Sequence, residues 1–237
     1  ATQKYYMYYN MYAKGSSGAV EVSANGFYIG VAVSDTPVGP FRALHNTDSE
    51  TGVAIPLVNF EEHFGFSSHM PVIDVSPFRD PKEGGKLYLY FKGEATSGDA
   101  INSGHIYGME MQDWTTPNYE TIKCLLAPRA VSVTCDEGAE AALKLTGKQT
   151  VGTIDDALTT NILEAPQCIE HNGKYYLTYS ANGFTDASYS VWQAVGTSPM
   201  GPFTKVSAEK GNPIISGASM PYANGSGHHT FVRNGDE

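Results

Sequence analysis

One phrase occurs three times along the chain and narrows the folds open to it. Tyr5-Tyr6-Met7-Tyr8-Tyr9-Asn10, Leu87-Tyr88-Leu89-Tyr90-Phe91-Lys92 and Tyr175-Tyr176-Leu177-Thr178-Tyr179-Ser180 are aromatic runs with strong strand preference. Their starts lie 82 and 88 residues apart (87 − 5 and 175 − 87). A second match flanks two of them: the stretch from Ala32 through Pro37-Val38-Gly39-Pro40-Phe41 mirrors Ala194 through Pro199-Met200-Gly201-Pro202-Phe203. Pro-x-Gly-Pro-Phe is a bend, because proline fixes φ and glycine takes up conformations other residues avoid. Gly84-Gly85-Lys86, Asn172-Gly173-Lys174 and Asn234-Gly235 add hairpin signals.

Each repeat therefore reads as strand, tight turn, aromatic strand, third strand and a bend into a fourth. Radial repetition of four-stranded antiparallel units describes an all-β propeller, with the innermost strands lining the axis. A β-sandwich is the alternative, but it requires no repeat of this length. With 237 residues, 41% of them hydrophobic, the whole chain, 1–237, can form a single domain. Residues 124–163 break the strand pattern and read as an insertion between blades, with a short helix expected near Glu137–Lys144.

A formal charge of -10 without a Lys/Arg cluster argues against nucleic acid or anionic lipid as partner and leaves a neutral one such as sugar. No apolar run approaches the ~20 residues of a membrane span. Cys124, Cys135 and Cys168 form no CxxC pair, which indicates neither zinc nor a full disulfide framework. A Cys124–Cys135 bridge is open, with unpaired, half-buried thiols the expectation. Such a bridge would favour export, and a secreted or periplasmic location is expected.

Candidate chemistry comes from polar residues at comparable places before the repeats. Asp74 precedes Tyr88 by 14 residues and Glu164 precedes Tyr176 by 12; His228 stands 6 before Asn234, as Glu164 stands 8 before Asn172. If each occupies the same station of a repeated sheet, the three converge on the axis. Glycosidic cleavage needs such convergence, since one carboxyl protonates the leaving oxygen and another acts at the anomeric carbon. In an inverting pair they stand roughly 6.5 to 9.5 Å apart. His69 is near enough in sequence to Asp74 to reach the same pocket. Trp114 and Trp192 are candidate sugar-stacking rings, Trp192 more naturally a core residue, and Asp80 and Glu83 read as hairpin polar residues.

Ile73-Asp74-Val75-Ser76-Pro77-Phe78, Glu164-Ala165-Pro166 with the run after Asn172, and Gly225-Ser226-Gly227-His228 together resemble motifs of glycoside hydrolase family 43, in order and spacing, across essentially the whole chain. The resemblance implies a five-bladed propeller and an inverting hydrolase of arabinofuranosyl or xylosyl linkages in plant polysaccharides. Glu164 would be the general acid, Asp74 the carboxylate that tunes its pKa, and His228 a substrate contact, with His69 expected as a second substrate contact from its nearness to Asp74. It requires no cofactor but admits a structural calcium near the axis, with His228 at that metal. Two positions depart from the pattern: Ala165 stands where the family usually has Gly, and Val75 where it usually has Pro. By the repeat, the general base falls upstream of Ala1, so the expectation is three to four blades with the first inner strand and last blade missing, completed by a second chain or by sequence beyond this one. A catalytically silent carbohydrate-binding propeller and a retaining fructan-type hydrolase are the competing readings.

Overall fold

The computed structural model describes residues 3–12, 27–44, 54–59, 71–82, 84–94, 104–126, 132–133, 149–150, 162–217 and 224–232. These form three antiparallel sheets and a short ladder. The first sheet runs β1 (Tyr5–Tyr12), β2 (Phe27–Ser34), β3 (Arg42–Ala43). The second runs β4 (Val72–Arg79), β5 (Leu87–Glu94), β6 (Gly104–Asp113), β7 (Thr116–Pro117), with β8 (Lys123–Leu126) also on β6. β9 (Ser132–Val133) pairs with β10 (Gln149–Thr150). The third sheet runs β11 (Leu163–His171), β12 (Lys174–Ala181), β13 (Ser190–Gly196), β14 (Phe203–Lys205), with β15 (Ile215–Ser216) also on β13.

The three aromatic runs are β1, β5 and β12, the same strand of successive sheets. In the second and third sheets a partner strand precedes the run, as the repeat predicts; in the first sheet the described residues begin at the aromatic strand itself. Asn172 and Gly173, both with positive φ (49° and 84°), make the two-residue turn between β11 and β12. The Pro-x-Gly-Pro-Phe copies share one geometry: Gly39 and Gly201 have φ of 84° and 71°, both following Gly-Pro peptides are cis, and each glycine N–H donates to a carbonyl three residues back, Thr36 or Ser198.

Strand alternation explains why Leu87–Phe91 is apolar throughout. Leu89 and Phe91 face a core shared with Ile29 and Val31 of the first sheet, where Tyr6 and Tyr8 also pack. Tyr88 and Tyr90 face the opposite way, into a core with Tyr175, Leu177, Tyr179 and Trp192 of the third. The middle sheet is thus buried on both faces. Trp192 is a core residue, its Nε1 donating to Ser190 Oγ. Trp114 sits in the turn after β6, packed against Tyr6 with its carbonyl accepting from the Tyr8 hydroxyl.

Asp80 is more than a hairpin residue. It is fully buried; Oδ1 accepts from the Lys82 N–H within its own hairpin and Oδ2 from the Tyr175 hydroxyl at 2.7 Å, joining the second sheet to the third. Residues 124–126 of the expected insertion belong to the second sheet as part of β8. His69, Glu83, Cys135, Glu137–Lys144 and Asn234-Gly235 lie outside the described residues. Cys124 and Cys168 are buried rather than half-buried, and burial pushes the Cys168 thiol up to about 12. Among the described residues no helix is long and apolar enough to cross a membrane.

Candidate active site

β4 and β11 each carry a bulge near the start, between Ile73 and Ser76 and between Glu164 and Gln167. A bulge sets two residues against one and re-aims the side chains around it. Its first residue is left-handed in both: Asp74 has φ 59° and Ala165 φ 49°. His228, outside any strand, shares this conformation at φ 55°. Each of the three donates its amide to a side chain from the sheet before it. The Asp74 N–H donates to Asn10 Oδ1 (3.2 Å), the Ala165 N–H to Asp74 Oδ2 (3.1 Å), and the His228 N–H to Ser180 Oγ (2.7 Å).

The register corrects the common station by one residue. Lys92 pairs with Ile73 and Ser180 with Glu164, so Glu164 corresponds to Ile73, whereas Asp74 corresponds to Ala165. Counting back from the aromatic strands blurred this because the β4–β5 turn is longer than the two-residue turn between β11 and β12. Asp74 and Glu164 nevertheless converge on the His228 ring. Asp74 Oδ1 lies 3.5 Å from Nε2, and Glu164 Oε1 lies 3.9 Å from Nδ1.

Both carboxylate side chains are sheltered, at 6% and 10% exposure, while the imidazole is 59% exposed and forms the solvent side of the cluster. The Tyr189 hydroxyl donates to Glu164 Oε1 at 2.6 Å and lies 3.2 Å from His228 Nδ1. Burial, then the bond to Glu164, raises that phenol above its ordinary range. Lys92 Nζ stands 3.6 Å from Glu164 Oε2. Pairing with Asp74 raises the His228 pKa; desolvation opposes this, and the charges of Asp74 and Glu164 reinforce it.

His229 turns the other way. Its Nε2 is 2.6 Å from Thr178 Oγ1, whose own proton goes to the Gln167 carbonyl, so Nε2 is the donor and Nδ1 carries no proton. Nδ1 is buried and has no hydrogen-bond partner among the described residues. Burial and then the charge of His228 push the His229 pKa down to about 4. Between the two histidines, His228 is the one at the carboxylates.

Tyr189, Lys92, Ser180 and Asn10 escaped the sequence reading. Lys92 left one signal, an ammonium closing an otherwise apolar strand run, and a lysine that is 8% exposed needs a partner. Tyr189 left none, since its place depends on Gly227. A Cβ on Gly227 would stand 2.2 Å from the Tyr189 ring, and the Ser226 N–H donates to the Tyr189 carbonyl.

Each His228 nitrogen faces a carboxylate, an arrangement that suits a protonated ring better than a metal ligand, and calcium takes mainly oxygen ligands. Among the described residues no three His, Cys, Asp or Glu side chains group as metal ligands.

The fold is shared with solved structures. A thermostable family-43 glycoside hydrolase superposes with a TM-score of 0.62 at 24% identity, over 96% of this chain and 57% of that one. An α-L-arabinofuranosidase from Lactobacillus brevis gives 0.56 at 18% identity, over 98% and 58%. A xylan β-1,4-xylosidase from Bacillus halodurans C-125 gives 0.56 at 14% identity, over 98% and 33%. This chain thus spans less than two thirds of the length of each. No curated protein matches it. The model of glycosyl hydrolases family 43 matches residues 1–237, and the chain belongs to that family.

Proposed function

We propose that the chain carries the proton-donating half of an inverting glycoside hydrolase site, acting on arabinofuranosyl or xylosyl linkages of plant polysaccharides, on a five-bladed propeller. The observation that supports this most directly is the meeting of Asp74 and Glu164, from different sheets, on one imidazole. Glu164 protonates the departing glycosidic oxygen as the bond to the anomeric carbon breaks; water attacks that carbon from the opposite face and gives its proton to a base. Asp74 orients the acid, because its Oδ2 holds the amide of the next residue, Ala165, and tunes it as a neighbouring carboxylate. His228 contacts the sugar at the open side of the cluster. The base is not among the residues that meet here. Family membership and the arabinofuranosidase and xylosidase named above support the substrate class. A polymeric substrate of that kind supports a secreted or periplasmic location.

Glu164→Gln in the full-length protein is expected to lower kcat on arabino- or xylo-oligosaccharides by at least about 100-fold. A nitrophenyl glycoside, whose leaving group needs little protonation, should lose far less. NMR of the first-formed product should show the inverted anomer. Unchanged oligosaccharide turnover in Glu164→Gln removes the assignment, and a retained anomer removes inversion.

A further inference from the structure

The repeated aromatic run ends each time on a polar residue: Asn10, Lys92 and Ser180 are its sixth positions. Strand alternation points Lys92 and Ser180 away from the preceding sheet, and all three touch a site residue that follows in sequence. Asn10 Oδ1 accepts from the Asp74 amide and Ser180 Oγ from the His228 amide. The second copy differs, being charged and reaching the carboxyl group of Glu164 instead of a backbone amide.

We propose that Lys92 is a positioning residue for the proton donor, fixing the second oxygen of Glu164 while Tyr189 fixes the first. The inference rests on the reading of Glu164 as the acid and adds to it the residue that holds the acid in place. Tyr189 grips Oε1 at 2.6 Å and Lys92 stands 3.6 Å from Oε2, so the carboxyl is restrained at both ends. Proton transfer depends steeply on this restraint, since a donor displaced by about 1 Å can cost about 100-fold in rate.

The path of the lysine is built into the neighbouring strand. A Cβ at Gly104 would lie 2.7 Å from Lys92 Cε and 2.8 Å from the Leu163 carbonyl oxygen. Only glycine there lets the lysine stem cross from the second sheet to the third. The Lys92 side chain is 10% exposed, matching Glu164, so the pair interacts away from bulk solvent.

The test compares Lys92→Met, Lys92→Arg and Glu164→Gln in the full-length protein, on a xylo- or arabino-disaccharide and on the corresponding nitrophenyl glycoside. Lys92→Met is expected to lower disaccharide kcat by about 10- to 100-fold with KM within about threefold and nitrophenyl turnover nearly intact. Lys92→Arg, which keeps the charge, should recover most of the loss. If Lys92→Met fails to fold by circular dichroism, Lys92→Gln replaces it under the same criteria. Disaccharide kcat within twofold of wild type, or equal losses on both glycosides, overturns the proposal. The two failures separate cleanly: an active Glu164→Gln removes the functional reading, whereas an inactive Glu164→Gln beside a fully active Lys92→Met removes the role of Lys92 alone.

Discussion

Ala165 holds a left-handed conformation, φ 49°, that an L side chain resists by roughly 1 to 2 kcal/mol. The family's usual glycine at this place now has a physical reason, for the bulge that aims Glu164 requires that backbone. Ala165→Gly relieves the strain but loosens the unfolded chain, so stability should stay level or rise by up to about 1 kcal/mol. Ala165→Val should lose about 1 to 3 kcal/mol. Urea unfolding of the two variants measures this, and a valine variant as stable as the alanine parent would refute the strain. Asp74 sits in the same conformation more easily, because short polar side chains tolerate it. That Asp74 and Glu164 would meet was legible in their residue types and spacing. The one-residue offset between them was not, because the turns that lead into the two aromatic strands differ in length and counting back from those strands mixes turn length with strand register.

At the level of strands, the sequence showed what both faces of a sheet demand and hid what passes between sheets. Leu87–Phe91 reads as a strand because its alternate residues enter different cores, and Asn172-Gly173 as a turn because both residues must take positive φ. Lys92 to Glu164 is a lateral contact set by how the sheets stack, Tyr189 to Glu164 crosses the third sheet from the turn before β13, and nothing in the local stretches announces either. At Gly104 the two sheets approach closely: it bridges to Ile162 in parallel, and its missing side chain leaves room for the Leu163 carbonyl. Gly104→Ala forces backbone apart as well as a lysine stem, and should cost about 1 to 3 kcal/mol. A thermal melt of that variant checks the figure, and an unshifted midpoint would show that β6 and β11 can separate freely.

The molecule as a whole should carry the opposed shifts of its adjacent histidines into its pH dependence. His228 has a raised pKa, so the stability it contributes is complete below the ordinary value of 6.5 and is lost as pH climbs through its folded value. His229 is depressed to about 4, so its contribution is complete above 6.5 and is lost as pH falls toward 4. The pair favours the fold most near 6.5. Melting curves across this range should show a shallower alkaline decline in His228→Gln and a shallower acid decline in His229→Gln; slopes unchanged from the parent would contradict the assignments. The repeat made the stacked all-β plan legible from sequence, whereas the buried carboxylate of Asp80 was hidden, since its partner Tyr175 lies 95 residues away. Asp80 lies just past the far end of β4 from Asp74. The second and third sheets are therefore tied at both ends of their seam, by Tyr175 to Asp80 at one and by Ala165 to Asp74 at the other, so the wall that carries the cluster cannot hinge open without breaking a bond at each.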